Sequence, residues 1–272
     1  MESEGHEFTG AVKLGKMSRT SARPTNENRP PTMEVMTWIK ICGITNLDDA
    51  LAAVDAGADA LGFVFYDKSP RRVDAKRVRE IAKQIPMGIE KIGVFVMASE
   101  VDITVISDEA QLTGWQLHKT VNGMPLEDAF RNHGGFFVHP KCKPDAGKNV
   151  YISFPAGLFV NEKGHRGFGE WKGADKEISA LFIDSGDGEL PGGTGRTFNW
   201  ERLRPASQCL SLKFKVVVAG GLTPSNVTDA MSILRPWGVD VSSGVETKPG
   251  KKDPEKIRAF IRAVRGADKG NN

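Results

Sequence analysis

Short apolar runs recur at near-regular intervals from residue 38 onward, and segments with helical spacing separate them. Apolar runs of this length, bounded by turn residues, are typical of β-strands. The pattern predicts eight strands, over residues 38–42, 60–65, 91–96, 113–117, 150–154, 180–184, 215–219 and 239–242.

The segments between these strands carry helix signals. Asn46 can cap the first helix, after which apolar residues recur at helical spacing. Residues 224–234 and 253–264 are amphipathic, and each segment opens with Pro after a capping residue, Thr223 or Asp253. Further helices are predicted over residues 73–85, 99–110 and 125–132 and near Asn199.

Alternating strands and helices indicate the α/β class, and eight such units predict a single (β/α)8 TIM barrel over residues 37–267. The structural alternative is an open doubly wound sheet. That fold rarely needs eight evenly spaced units, and no GxGxxG motif follows the first strand. The barrel is therefore the favoured prediction.

Residues 1–36 differ from the rest of the chain. They are rich in Ser, Thr, Arg, Glu, Asn and Pro without sustained periodicity, which predicts a disordered N-terminal extension. Early glutamates argue against a targeting peptide. A start codon assigned too early is another possibility, because Met33 and Met36 precede the first strand. Residues 268–272 are expected to form a flexible tail.

Residues 119–179 match the barrel pattern least well. No clear helix follows the fifth predicted strand, and four glycines within residues 161–174 indicate a long loop. Long loops in compact domains are often lids or insertions.

Composition narrows the functional classes. The 272 residues include 37 basic and 34 acidic side chains, a balance too even to indicate nucleic-acid binding. No apolar run approaches the roughly 20 residues that a membrane-spanning helix needs. Cys42, Cys142 and Cys209 show no metal-ligand spacing, so we expect reduced thiols in a cytoplasmic protein without a metal site.

Glycines and small hydroxyl residues follow the last two predicted strands. They are Gly220, Gly221, Ser242, Ser243 and Gly244. Short side chains and an open backbone leave N–H groups available to an anion, and (β/α)8 barrels frequently bind phosphate after strands 7 and 8. These residues therefore predict a shared phosphate site.

Two candidates for acid–base chemistry end predicted strands on opposite sides of the barrel mouth. Cys42 ends the first strand and Asp184 ends the sixth, so one could remove a proton from a substrate and the other donate one. Position alone leaves open that Cys42 is a small buried hydrophobe. A capping or loop role for Asp184 is disfavoured, since an ionised carboxylate beside apolar residues is costly.

Two further polar residues follow strands at the same mouth. Arg71 comes just after the second strand, and its planar guanidinium suits a carboxylate or phosphate; the alternative is a solvated surface arginine. His118 ends the fourth strand, where a lone histidine is more often structural than catalytic. Glycines at 192–195 could bind an anion or form a flexible loop.

Taken together, these segments resemble the phosphoribosylanthranilate isomerase family of tryptophan biosynthesis. The segments that carry the resemblance occur in family order: 40–46 (KICGITN), 57–66 (GADALGFVFY), 69–71 (SPR), 93–96 (GVFV), 116–118 (QLH), 192–195 (GGTG), 219–222 (AGGL) and 240–246 (DVSSGVE). Each segment is weak alone, whereas their joint order is highly specific.

The resemblance implies a cofactor-free Amadori rearrangement of N-(5-phosphoribosyl)anthranilate to 1-(2-carboxyphenylamino)-1-deoxyribulose 5-phosphate. It implies that Cys42 is the general base, Asp184 the general acid and Arg71 the ligand of the anthranilate carboxylate. Gly220, Gly221, Ser242, Ser243 and Gly244 match the phosphate cradle. His118 matches a residue of the mouth without a defined role.

This chemistry sets opposite requirements for the two catalytic groups. Cys42 must react as a thiolate although a free thiol has a pKa near ~8.5. Asp184 must be protonated although its reference pKa is near ~3.9. The site is therefore expected to shift the two pKa values in opposite directions. The expected partner is a small sugar-phosphate substrate, with neither nucleic acid nor membrane, and the chain is expected to act as a monomer or homodimer.

Departures from the family pattern leave the shape of the mouth and any oligomer interface open. Lys119 and Thr120 follow the QLH segment, Asn199 replaces a frequent Asp, and residues 119–179 match poorly.

Alternative functions are a non-catalytic phosphate-binding barrel, the related histidine-pathway isomerase and indole-glycerol-phosphate synthase. The histidine-pathway isomerase would carry an aspartate in place of Cys42, and the synthase a lysine-rich mouth. Joint retention of Cys42, Asp184 and Arg71 argues against the binding barrel.

Overall fold

Eight parallel strands close into a barrel in which each strand pairs with its neighbours in sequence and the last pairs with the first. The computed structural model describes residues 36–118, 120–121, 124–125, 147–161, 164–165, 178–185 and 198–270. The strands are Trp38–Cys42 (β1), Ala60–Phe65 (β2), Glu90–Val96 (β3), Gly114–His118 (β4), Asn149–Pro155 (β5), Ala180–Asp184 (β6), Val216–Val218 (β7) and Gly238–Val241 (β8).

Helices cover the outside of this barrel. Within the described ranges the α-helices are Leu47–Ala56 (α1), Ala75–Ala82 (α2), Glu100–Ala110 (α3), Trp200–Ser211 (α4), Val227–Leu234 (α5) and Pro254–Gly270 (α6). Single 3-10 turns lie at Ala156–Leu158 and Ser243–Val245. Short strand pairs outside the barrel are Thr120–Val121 with Met124–Pro125, Val160–Asn161 with Gly164–His165, and Glu246–Lys248 with Lys251–Lys252.

The predicted barrel is confirmed, and each predicted strand is present with its ends shifted by at most one residue. Buried apolar runs determine these strands, because their outward residues pack beneath the helices while their inward residues fill the barrel. Helix α2 is shorter than the predicted 73–85, and α6 extends beyond the predicted 253–264. The predictions for residues 1–35, 126–132, 166–174 and 192–195 lie outside the described residues.

Side-chain caps begin two helices as predicted. Asn46 Oδ1 accepts a hydrogen bond from Asp49 N at 3.0 Å, at the start of α1. Asp253 Oδ1 accepts from Glu255 N at 2.9 Å, at the start of α6. Each cap satisfies a backbone donor that the helix itself leaves without an acceptor.

The prediction that Thr223 and Pro224 open a helix is wrong, because α5 begins only at Val227. The Asn226 side chain instead organises the preceding turn. Its Oδ1 accepts from Thr223 N at 2.7 Å, and its Nδ2 donates to Gly221 O at 3.0 Å. The Asn226 amide therefore ties the backbone that follows β7 to the start of α5.

Aromatic rings close the N-terminal end of the barrel. Trp38 stacks on Tyr151 with 5.9 Å between ring centroids, and Phe182 meets the Tyr151 ring edge-on at 5.6 Å. The Glu90 carboxylate accepts hydrogen bonds from the Tyr151 hydroxyl and from Asn149 Nδ2. This filled end leaves the C-terminal mouth as the place for a site.

No helix among the described residues has the length and apolar character needed to cross a bilayer.

Replacing Tyr151 by Phe is expected to lower the free energy of unfolding by about 1.5–3 kcal/mol, the usual scale for a hydrogen bond to a charged group. Burial and the Glu90 carboxylate raise the pKa of Tyr151, so the phenol remains a donor at neutral pH. Urea unfolding measures the change. Tyr66→Phe is the matched control, because Tyr66 is only half-buried, and an equal loss in both variants would contradict the assignment.

Candidate active site

One cavity at the C-terminal mouth brings together eight of the nine residues that the sequence predicts for the site. They are Cys42, Arg71, His118, Asp184, Gly220, Gly221, Ser242 and Ser243. The ninth, Gly244, lies in the 3-10 turn Ser243–Val245 that directly follows. Strands β1, β4 and β6 and the segments after β2, β7 and β8 therefore contribute to one space.

Cys42 and Asp184 are the last residues of β1 and β6, and they are only 9% and 8% exposed, respectively. The Ser185 hydroxyl donates to Asp184 Oδ1 at 3.4 Å. The expected lowering of the Cys42 pKa is wrong: burial raises the pKa of the thiol above its ordinary value, and the Asp240 charge adds to this shift. The ammonium groups of Lys40 and Lys252 act in the opposite direction, so they are what favours the thiolate.

A buried ion pair lies directly beneath the cysteine. Lys40 Nζ is 3.0 Å from Asp240 Oδ1, and the lysine side chain is wholly buried. Neither residue is among those that the sequence predicts for the site. The sequence does carry a signal for Lys40: it is a lysine inside an apolar strand, two positions from Cys42, so both side chains lie on the same inward face.

Arg71 is buried rather than solvated, so the surface interpretation is wrong. Its Nε and Nη2 donate to the two oxygens of Glu246 at 2.9 and 2.7 Å, in a bidentate pair. Lys252 Nζ lies 2.8 Å from Glu246 Oε1. A Cβ at Gly43 would come within 2.5 Å of Arg71 Cδ, so only glycine leaves room for this arginine. A guanidinium carries five N–H donors, so the pairing with Glu246 does not exhaust Arg71.

His118 lies beside a second polar residue that the sequence analysis did not single out. The Nε2 atoms of Gln116 and His118 are 3.1 Å apart, and both residues line the cavity. Gln116 Oε1 and Ser153 Oγ are buried without a hydrogen-bond partner among the described residues. The interior beneath the mouth is therefore polar on the β4–β5 side.

Glycine backbones shape the predicted phosphate site. Gly220 and Gly221 have φ angles of 84° and 65°, in the left-handed region that favours glycine. A Cβ at Gly220 would lie 2.2 Å from Ser185 Oγ, and one at Gly244 would lie 1.9 Å from Leu222 O. The segments after β6, β7 and β8 therefore pack against one another with no space for side chains at these positions.

The described residues contain no cluster of three or more His, Cys, Asp or Glu side chains able to hold a metal ion.

Fold and site together define a (β/α)8-barrel protein whose polar cavity lies at the C-terminal mouth, where such barrels carry their active sites. The family model for N-(5'-phosphoribosyl)anthranilate (PRA) isomerase matches residues 39–145 and 170–263. The chain belongs to this isomerase family.

Relatives and solved structures agree with the family. The N-(5'-phosphoribosyl)anthranilate isomerase of Geotalea uraniireducens is 38% identical over 232 residues, which cover 85% of this chain and 100% of the relative. That of Pelobacter propionicus is 40% identical over 230 residues, covering 85% and 96%. The crystal structure of phosphoribosyl anthranilate isomerase from Thermotoga maritima has a TM-score of 0.63 and 34% identity, covering 85% of this chain and 100% of its own.

A further solved structure carries a ligand. It is a phosphoribosyl anthranilate isomerase in complex with reduced 1-(o-carboxyphenylamino)-1-deoxyribulose 5-phosphate. It has a TM-score of 0.62 and 33% identity, and it covers 85% of this chain and 100% of its own.

Replacing Glu246 by Gln is expected to lower the free energy of unfolding at pH 7 by about 3 kcal/mol, because two buried cations lose their counter-charge. Burial alone would raise the pKa of Glu246, but the hydrogen bonds and charges of Arg71 and Lys252 outweigh it and hold the pKa below its usual 4.5. Because the folded-state pKa is depressed, this stability is present above pH 4.5 and is lost as the pH falls through the folded value.

Urea unfolding at pH 7 and below pH 4.5 measures the difference between wild type and Glu246→Gln. The gap is expected to shrink in acid. The matched control is Glu255→Gln on the surface of α6, where the ion pair with Arg258 is exposed and no measurable change is expected. A gap that persists unchanged in acid would contradict the assignment.

Proposed function

We propose that this chain catalyses the Amadori rearrangement of N-(5-phosphoribosyl)anthranilate in tryptophan biosynthesis, with Cys42 as general base and Asp184 as general acid. The observation that carries the proposal is their convergence: both side chains line one cavity with the glycine segments that follow β7 and β8. Family membership supports the substrate, as does the ligand bound by the solved relative.

Two parts of the cavity lining would bind the substrate in this proposal. Gly220, Gly221 and the turn at Ser243–Val245 place backbone and small hydroxyl groups where a phosphate would bind. Arg71, held by Glu246, would use its remaining N–H donors for the anthranilate carboxylate. The ribose would then lie in the same cavity, which Cys42 of β1 and Asp184 of β6 also line.

The reaction is a pair of proton transfers with no electron acceptor outside the substrate. Asp184 gives its proton to the ribose ring oxygen as the C1–O bond breaks, which leaves an iminium at C1. Cys42 thiolate then takes the proton from C2, and the C–H electron pair forms the enolamine double bond. The enolamine tautomerises to the ketone, so the product is an isomer of the substrate.

The protein's partners in this proposal are limited to its small sugar-phosphate substrate. One solved relative is described as dimeric before its conversion to monomers. For this chain both the monomer and the homodimer stay predictions, as does the cytoplasmic location inferred from its thiols.

Cys42→Ser and Asp184→Asn are each expected to lower kcat by at least ~10²-fold, the usual scale of acid–base catalysis, with folding retained. The decay of phosphoribosylanthranilate fluorescence after addition of purified protein measures turnover. Cys209→Ser is the matched control, because that thiol is exposed on α4 and does not line the cavity. Near-normal turnover in either active-site variant would contradict the assigned roles.

Complementation of a tryptophan auxotroph that lacks this isomerase step tests the reaction itself. Growth is expected with the wild-type chain and not with Cys42→Ser. A protein that binds the substrate without turnover, and fails to restore growth, would instead support the binding-barrel alternative.

A further inference from the structure

Cys42 has a charged neighbour within the barrel that the proposed reaction does not yet use. Lys40 precedes it by two residues on β1, so both side chains point to the interior. Lys40 is among the largest wholly buried side chains. A lysine is almost never fully buried unless it is paired, so the burial of Lys40 requires a physical explanation.

Geometry places the ammonium and the sulfur side by side. A Cβ at Gly62, the residue opposite Cys42 on β2, would lie 2.9 Å from Cys42 Sγ and 3.0 Å from Lys40 Nζ. Both groups therefore border the space left by the missing side chain. Lys40 Nζ donates a hydrogen bond to Asp240 Oδ1 at 3.0 Å, and its positive charge acts on the neighbouring Cys42 thiol.

Lys40 has enough donors for both partners, because an ammonium group carries three N–H bonds and no acceptor. Burial lowers the pKa of Lys40, but the charges of Asp240 and Cys42 outweigh it, and the net shift is upward. The lysine therefore remains a cation at neutral pH. A fixed cation beside a thiol stabilises the thiolate, which is the reactive form.

We propose that Lys40 is a positioning residue for the proposed reaction: its ammonium favours the anionic form of Cys42 against the opposing effects of burial and Asp240, and Asp240 holds Lys40 in place. The proposal rests on the function proposed for Cys42. The thiol proton leaves to solvent before substrate binds, and the thiolate then accepts the C2 proton. During both steps Lys40 keeps its own proton.

Other charged groups surround the sulfur, and the test must separate them from Lys40. Asp240 on β8 disfavours the thiolate, whereas Lys252, which follows β8, favours it. Arg71, His118 and Asp184 line the same cavity. Lys40 and Asp240 thus act on Cys42 with opposite signs, although they form one ion pair with each other.

This opposition distinguishes the proposal from a purely structural ion pair. The experiment measures the rate of Cys42 alkylation by iodoacetamide against pH in a Cys142→Ser/Cys209→Ser background, which leaves Cys42 as the single thiol. The pH midpoint of the rate is the readout. Lys40→Met is compared with Asp240→Asn, and circular dichroism verifies that each variant is folded.

Lys40→Met is expected to raise the midpoint by at least about one pH unit, the lower end of the shift that a neighbouring opposite charge causes. Asp240→Asn is expected to lower the midpoint, since Lys40 then has Cys42 as its remaining counter-charge. A structural ion pair would shift both midpoints in the same direction or leave both unchanged, and either result would overturn the proposal.

The double variant Lys40→Met/Asp240→Asn keeps the proposal testable if Lys40→Met does not fold, because it leaves no unpaired charge. Its midpoint is expected above that of wild type, and a midpoint at or below wild type would overturn the role of Lys40. Alkylation does not depend on turnover. Wild-type protein without isomerase activity would therefore contradict the proposed function, while the midpoints would still decide the role of Lys40.

Discussion

The buried ion pair between Lys40 and Asp240 joins the first strand of the barrel to the last. These residues face each other in the β1–β8 register, and their charged atoms are 3.0 Å apart. Neither charge is stable in the interior without its partner, because burial removes the hydration of both. The pair therefore couples closure of the barrel to the presence of a cation directly beneath Cys42.

A second buried network lies at the same side of the mouth. Glu246 binds Arg71, which follows β2, and Lys252, which precedes α6. The carboxylate thereby links a loop early in the chain to a segment near its end. Asp184 ends β6, on the other side of the eight-stranded barrel from β2. The positive groups are thus concentrated around the thiol, while the carboxyl group faces them across the cavity.

Two glycines make these cation positions possible. A Cβ at Gly43 would meet Arg71 Cδ at 2.5 Å, and a Cβ at Gly62 would meet both Lys40 and Cys42. Long cationic side chains can lie inside the barrel only because Gly43, which follows β1, and Gly62, which lies within β2, contribute no side chain. Gly220 and Gly244 have a different role, since the absence of a side chain there lets backbone segments pack closely against one another.

The barrel could be predicted from the chain because its strands are continuous apolar runs, and buried apolar runs leave few alternative pairings. The candidate positions Cys42 and Asp184 could also be predicted, since both are polar residues that end such runs. The start of α5 could not be predicted from the sequence. Capping preferences favoured a start at Thr223, whereas the Asn226 side chain stabilises a turn there and the helix begins after it. The surroundings of Arg71 depended on Glu246, which is 175 residues away along the chain.

The sequence alone therefore determined the order of strands and helices, the ends of the strands that carry chemistry and the family resemblance. Hydrophobic periodicity and motif spacing are local properties of the chain, so they can be identified without coordinates. Only the tertiary structure decided the partners of the charged residues. Lys40 with Asp240, and Arg71 with Glu246, meet because closure of the barrel brings its first strands next to its last strand, and a low-dielectric interior requires each charge to be paired.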